Sequence, residues 1–148
     1  MFSFLNKHSL PVPVSEADFH QIEEEFQITL PPLLKDFYRN YNGLSMRSVL
    51  FHVDGHEYAV ERFFAVGAGS MSADRIMEIY RLCRYVPDGY FPLALSYDGD
   101  EFFVDTRNDG VYYVSLDNHR KYIPIAPTLE DFFDLLETEC KKSAGQTS

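Results

Sequence analysis

Tryptophan is absent, cysteine occurs twice, and lysine and arginine together number 13 against 23 aspartates and glutamates. No apolar run approaches the ~18 residues that a membrane-spanning helix needs. Each shortage excludes something. Two cysteines, Cys83 and Cys140, in 148 residues make no disulfide framework and read as buried or incidental thiols. The net charge of −10 argues against nucleic acid, because neutralising phosphates takes a basic surface. It argues against an anionic membrane surface for the same reason. The bases are not clustered either: only Arg120-Lys121 and Lys141-Lys142 are adjacent. The first residues, Met1 to His8, lack a charged segment followed by a long apolar run, so no signal peptide is expected and the expected location is the cytoplasm.

What is present suits one folded domain. Apolar residues make up 45% of the chain and aromatics 16%, all of them the 13 Phe and 10 Tyr. That is far from the composition of a disordered chain, and the length can bury a core without staples. We read residues 1–14, which end in Pro11-Val12-Pro13-Val14, as an extended lead-in, residues 15–140 as a single domain, and residues 141–148 as a polar tail.

Ser15 opens a helix with Asp18 three residues on, and Phe19, Ile22 and Phe26 form its apolar face. Pro31-Pro32 starts a second helix, lined by Leu33, Leu34, Phe37 and Tyr41 and stopped by Asn42-Gly43. Asp54-Gly55 between two β-prone runs, residues 48–53 and 56–60, predicts a hairpin. Ser70 or Ser72 then caps a third helix to about Arg84, with Ile76, Ile79, Tyr80 and Cys83 as its stripe. Residues 91–95 form a strand, and residues 101–105 and 111–114 pair around Arg107-Asn108-Asp109-Gly110. These strands are apolar on both faces, so the sheet is either covered twice or offers a contact surface. Thr128 opens a last helix that buries Leu129, Phe132, Phe133 and Leu136.

No pattern spells out catalysis. There is no nucleophile elbow, and neither cysteine has an activating sequence around it. His52-Val53-Asp54-Gly55-His56 brings two imidazoles together in sequence, but a two-residue hairpin pairs Val53 with His56 and His52 with Glu57, which sets the two on opposite faces. Asp98-Gly99-Asp100-Glu101 is only a fragment of a calcium loop, and Gly67-Ala68-Gly69 lacks the third glycine of a phosphate cradle. No catalytic residue, cofactor or metal is expected. The charge distribution says more. Between Tyr85 and His119 lie seven acids, Asp88, Asp98, Asp100, Glu101, Asp105, Asp109 and Asp117, against one base, Arg107. Tyr85, Tyr90, Tyr97, Tyr112 and Tyr113 are interleaved with them. Tyrosine beside carboxylate suits an interface with a basic protein, but a core edged by solvated loops accounts for it more readily.

Several pieces fall in a recognisable order: Ile22-Glu23-Glu24-Glu25-Phe26, Ile28-Thr29-Leu30-Pro31, Phe37, Tyr41-Asn42-Gly43, Phe91-Pro92-Leu93-Ala94, Asp98-Gly99-Asp100, Phe102-Phe103-Val104-Asp105, Gly110-Val111-Tyr112-Tyr113 and Leu129-Glu130-Asp131-Phe132-Phe133. From Ser15 to Glu139 the chain resembles the SUKH superfamily, which includes the Smi/Knr-type proteins. Many relatives carry a Trp near the central strands, which this chain lacks, and a longer glycine-rich turn where it has Asp98-Gly99-Asp100. The resemblance implies an α+β fold: a mixed or antiparallel sheet packed against two N-terminal helices, one inserted helix and one C-terminal helix. It also implies a non-enzymatic protein-binding domain. Bacterial members are mostly immunity proteins that neutralise a cognate toxin, often a nuclease, by direct binding; fungal relatives act through protein contacts in cell-wall regulation. The expected partner is therefore a protein, a cognate toxin with a basic cleft, met through Tyr97, Asp98, Asp100 and Glu101 and, further along, Asp105 and Asp109. A regulatory module with no toxin partner and a small metal-binding protein stand as the alternatives.

Overall fold

The first helix, α1 (Glu16–Phe26), begins with a reciprocal cap: the Ser15 hydroxyl accepts from the Asp18 N–H while the Ser15 N–H donates to the Asp18 carboxylate. Phe19 and Ile22 are its buried residues. Pro31 and Pro32 lead into α2 (Pro32–Tyr41), where a missing N–H costs nothing in the first turn. Leu34 and Phe37 point into the core as expected. The third buried residue is Tyr38; Leu33 and Tyr41 are only half-buried. The computed structural model describes residues 2–67, 72–83, 87–115 and 121–146, with the side chains of residues 83 and 143–146 excepted. Ser70, Gly69, Arg84, Tyr85 and Asp117, and the side chain of Cys83, lie outside the described residues.

Six strands follow as a meander in chain order, every neighbouring pair antiparallel: β1 (Val49–Val53), β2 (His56–Phe63), β3 (Tyr90–Ser96), β4 (Glu101–Asp105), β5 (Val111–Val114) and β6 (Tyr122–Ala126). The expected α+β fold is present, and its sheet is antiparallel throughout. The first hairpin turns through Asp54 and Gly55, both at positive φ, and its register sets Val53 against His56 and His52 against Glu57. Strand β6 is one that the sequence reading lacked. Its Pro124 argues against a strand, but β6 lies at the sheet edge, where proline's missing N–H leaves no ladder bond unmade.

The helix between β2 and β3, α3 (Ala73–Cys83), corrects another expectation. Ala73, Ile76 and Met77 are buried, whereas Ile79 is 59% exposed. The helix is rolled so that the 73, 76, 77, 80 spacing meets the sheet, and Ile79 lies on the flank with Leu82. The last helix, α4 (Leu129–Gln146), is capped by the Thr128 hydroxyl, which accepts from the Asp131 N–H. It runs through Lys141 and Lys142, so the residues expected as a tail begin as helix.

The main core lies on one face of the sheet, beneath α4 and the two N-terminal helices. Phe37 is its hub: its ring lies within about 6 Å, centre to centre, of Phe2, Tyr38, Tyr41, Phe63 and Phe133. The N-terminal residues contribute directly. Phe2, Phe4 and Leu5 are buried, Leu5 bridges to Met46, and Ser3 bonds the Glu137 carboxylate through both its N–H and its hydroxyl. The opposite face carries a smaller cluster of Tyr90, Phe103 and Val114, flanked by Tyr80 and Tyr112.

One buried amide ties the helical side together. The Asn42 side chain, fully buried, donates to the carbonyls of Val12 (3.2 Å) and Val66 (3.0 Å) and accepts from the Val66 N–H (2.9 Å). Next to it, Gly43 has φ +79, and a Cβ there would stand 2.8 Å from the Val12 side chain. Replacing Asn42 with Ala leaves two carbonyls and an N–H without their partner. The expected loss is about 3 kcal/mol of stability, read from urea unfolding at neutral pH.

Candidate functional site at the acidic turns

In an antiparallel meander alternate turns share one end of the sheet. The β1–β2 hairpin at Asp54-Gly55 and the β3–β4 turn at residues 97–100 therefore point the same way, but the hairpin tip overhangs, and its Val53 and Asp54 line a groove with Asn108, Gly110 and residues 124–127. The β4–β5 turn at residues 106–110 lies at the other end. The six residues singled out in the sequence divide accordingly. Tyr97, Asp98, Asp100 and Glu101 stand at the first end and Asp105 and Asp109 at the second, separated by the length of β4, about 14 Å at ~3.4 Å per residue.

The β3–β4 turn is closely held. Gly99 (φ +91) donates to the Ser96 carbonyl, the Ser96 N–H donates to the Asp100 carbonyl, and the Asp100 N–H reaches the Asp98 carboxylate at 3.1 Å. Beneath it the Tyr113 hydroxyl is 2.7 Å from a carboxylate oxygen of Asp98 and 2.7 Å from one of Asp100. A phenol has one hydrogen to give, so the two carboxylates converge on it and share it. Partial burial pushes the Asp98 carboxyl up, but the Tyr113 hydroxyl and the hydrogen bonds of the turn outweigh it and hold the group below its usual range. Burial, followed by the bonds to Asp98 and Asp100, drives the Tyr113 hydroxyl far above the tyrosine range. Tyr97 projects from the same turn, 58% exposed.

On the β1–β2 hairpin Asp54 and Glu57 are both exposed. The Tyr58 ring joins the two turns: it packs 5.1 Å from the Tyr113 ring, and burial with the nearby Asp54 charge raises its hydroxyl. Asp98 and Asp100 thus edge the β3–β4 turn, while on the hairpin His52 stands 3.7 Å from Glu57 and Asp54 faces the groove it shares with Asn108 and Gly110.

Glu101 stands differently. It is 7% exposed; one oxygen accepts from the Tyr80 hydroxyl at 2.6 Å and the other is buried without a partner. Burial pushes its carboxyl above the ordinary range, against the Tyr80 bond and helped by the Asp100 charge. At the far end Asp105, 3% exposed, accepts two bonds from the Arg107 guanidinium, at 2.9 and 3.0 Å, and a third from its N–H. The guanidinium holds that carboxyl below its usual range and cancels its charge. Asp109, half-buried at φ +66, continues the same turn. No group of three or more His, Cys, Asp or Glu able to hold a metal occurs among the described residues.

Residues 13–135 match the family model described as SMI1 / KNR4 family (SUKH-1). No curated protein gives a significant match.

Two substitutions test the chemistry of these turns. The folded state keeps the Glu101 proton to higher pH than the unfolded chain does, so stability falls as pH rises from the ordinary glutamate value of ~4.3 through the folded value. Glu101→Gln removes that dependence. Unfolding experiments across pH 4–8 should show it matching the parent at the acid end and exceeding it at the alkaline end. Tyr113→Phe should cost about 1–2 kcal/mol at neutral pH and move the Asp98 carboxyl up toward its usual range, followed by carboxyl NMR titration.

Proposed function

The chain belongs to the SMI1/KNR4 family (SUKH-1), and on that premise we propose a protein-binding domain with no chemistry of its own, an immunity protein that neutralises a bacterial toxin by occluding it. The contact is assigned to the end of the sheet that carries Tyr97, Asp98 and Asp100. Glu101 acts from behind this surface by holding α3 to the sheet through Tyr80. Asp105 and Asp109 belong to a separate surface at the other end.

The observation that carries this assignment is the Tyr113 anchor. A hydroxyl fixes Asp98 and Asp100 without bringing a positive charge to them, so the turn is rigid and remains acidic. A rigid contact loses little entropy on binding, and ordered carboxylates attract a basic cleft from a distance. Tyr97 supplies a large exposed side chain beside them, the residue type that most often anchors an interface.

The test begins with the product of the adjacent reading frame. Co-expression should give a complex that survives purification, and this chain should rescue cells from that product's toxicity. Asp98→Lys with Asp100→Lys should slow association about tenfold or more at low salt and flatten its salt dependence. Tyr97→Ala should speed dissociation at a cost of about 2 kcal/mol. Rescue without a complex would remove the occlusion reading, and an unchanged association rate would remove this surface.

A further inference from the structure

A concave site lies where the N-terminal segment, the stretch before β1 and the end of α4 meet. It is a groove of about 640 Å³ with Phe4, Leu5 and Met46 on its floor and Arg47, Cys140 and Lys141 at its side. Its volume falls within the ~300–1,000 Å³ of small-molecule sites. Its charge is the unusual part. In a chain of net charge −10, the only charged residues lining this groove among those described are Arg47 and Lys141, both positive.

The Arg47 guanidinium is poorly served. The side chain is exposed, and its one side-chain bond among the described residues is a 3.7 Å contact from Nη2 to the Cys140 sulfur, a weak acceptor for a group with five N–H donors. No carboxylate lies within ion-pair distance of it among the described residues, whereas Arg75, Arg81 and Arg107 each have one and Arg39 has two. Lys141 is 72% exposed and reaches Glu137 only at 3.8 Å, where that carboxylate already accepts two bonds from Ser3. The floor is ordered: Leu5 bridges Met46, and the Asn6 and Arg47 N–H groups bond the carbonyls of Ser45 and Phe4.

We propose that this groove binds a small apolar carboxylic acid. The hydrocarbon lies on Phe4, Leu5 and Met46, the carboxylate takes a two-point bond from the Arg47 fork in place of the Cys140 sulfur, and Lys141 adds a second positive charge. An apolar body with a single anionic end fits both halves of the lining. A neutral or cationic body of the same length fits only one.

Decanoate is the probe, titrated into the full chain at pH 7.5 well below its micelle concentration and followed by calorimetry and amide NMR. One saturable site is expected, with shifts confined to residues 3–6, 45–47 and 140–141, and with decanol and decylamine about tenfold weaker or more. Arg47→Gln should weaken decanoate about tenfold while leaving decanol unchanged. Lys141→Gln, on an exposed helix face, gives the same reading with a smaller loss should the first variant fold poorly. Four results would each overturn the proposal: no saturable binding, decanol binding as tightly as decanoate, both variants binding like the parent, or binding of a peptide with a free C-terminal leucine but not of decanoate.

Discussion

The helical half of the molecule depends on one buried amide. Asn42 ends α2, and from that position it holds Val12, which leads into α1, and Val66, which leads toward α3. Its own carbonyl also accepts from the Val12 N–H at 2.7 Å. Three stretches far apart in sequence thus share one set of hydrogen bonds in a place water does not reach. A buried amide left half-satisfied is costly, so this set forms whole or not at all. Gly43 completes it by letting the chain turn at positive φ while Val12 lies against its backbone.

Around that polar centre phenylalanine is the commonest residue of the core. A Phe ring carries no hydrogen-bonding group, so rings can meet at any orientation the packing asks for, and the contacts among Phe2, Phe37, Phe63 and Phe133 run from stacked to edge-on. Tyrosine fills a different role. Tyr80 and Tyr113 bury their rings against the sheet and spend their hydroxyls on carboxylates, Glu101 in one case and Asp98 with Asp100 in the other. The interleaving of tyrosine and acid in the sequence, open to a core reading and to an interface reading, is partly each. Tyr113 and Tyr90 are buried, while Tyr97 is exposed.

The order of elements, the first hairpin with its register, and the caps at Ser15 and Thr128 were all legible, because each is set by residues a few positions apart. Asn42-Gly43 was legible only as a helix stop; its bonds to Val12 and Val66 are long-range and leave no local pattern. Helical spacing admitted both Ile79 and Met77 on the inner face of α3, and only packing on the sheet chose Met77. Strand β6 was hidden by Pro124, whose meaning depends on whether a strand lies at an edge. The candidate site was half legible. Sequence proximity suggested one acidic stretch, but a strand cannot bring its two ends together, so Asp105 and Asp109 lie away from Asp98 and Asp100, while Asp54, more than 40 positions earlier, shares a groove with Asn108 and Gly110.

The two ends of β4 show how similar residues reach opposite electrostatic outcomes. At one end Arg107 grips Asp105 with two bonds, and the pair presents little net charge. At the other, Tyr113 grips Asp98 and Asp100 with a hydroxyl, which stabilises the ionised form without cancelling it. Rigidity is common to both; only the second leaves a field that extends into solvent. Burial is the main reason for Glu101, next in the chain, to hold its proton: it disfavours a further charge against the pull of the Tyr80 bond, and the Asp100 charge adds to it. The turn can thus carry its charge outward while the strand behind it remains packed against α3.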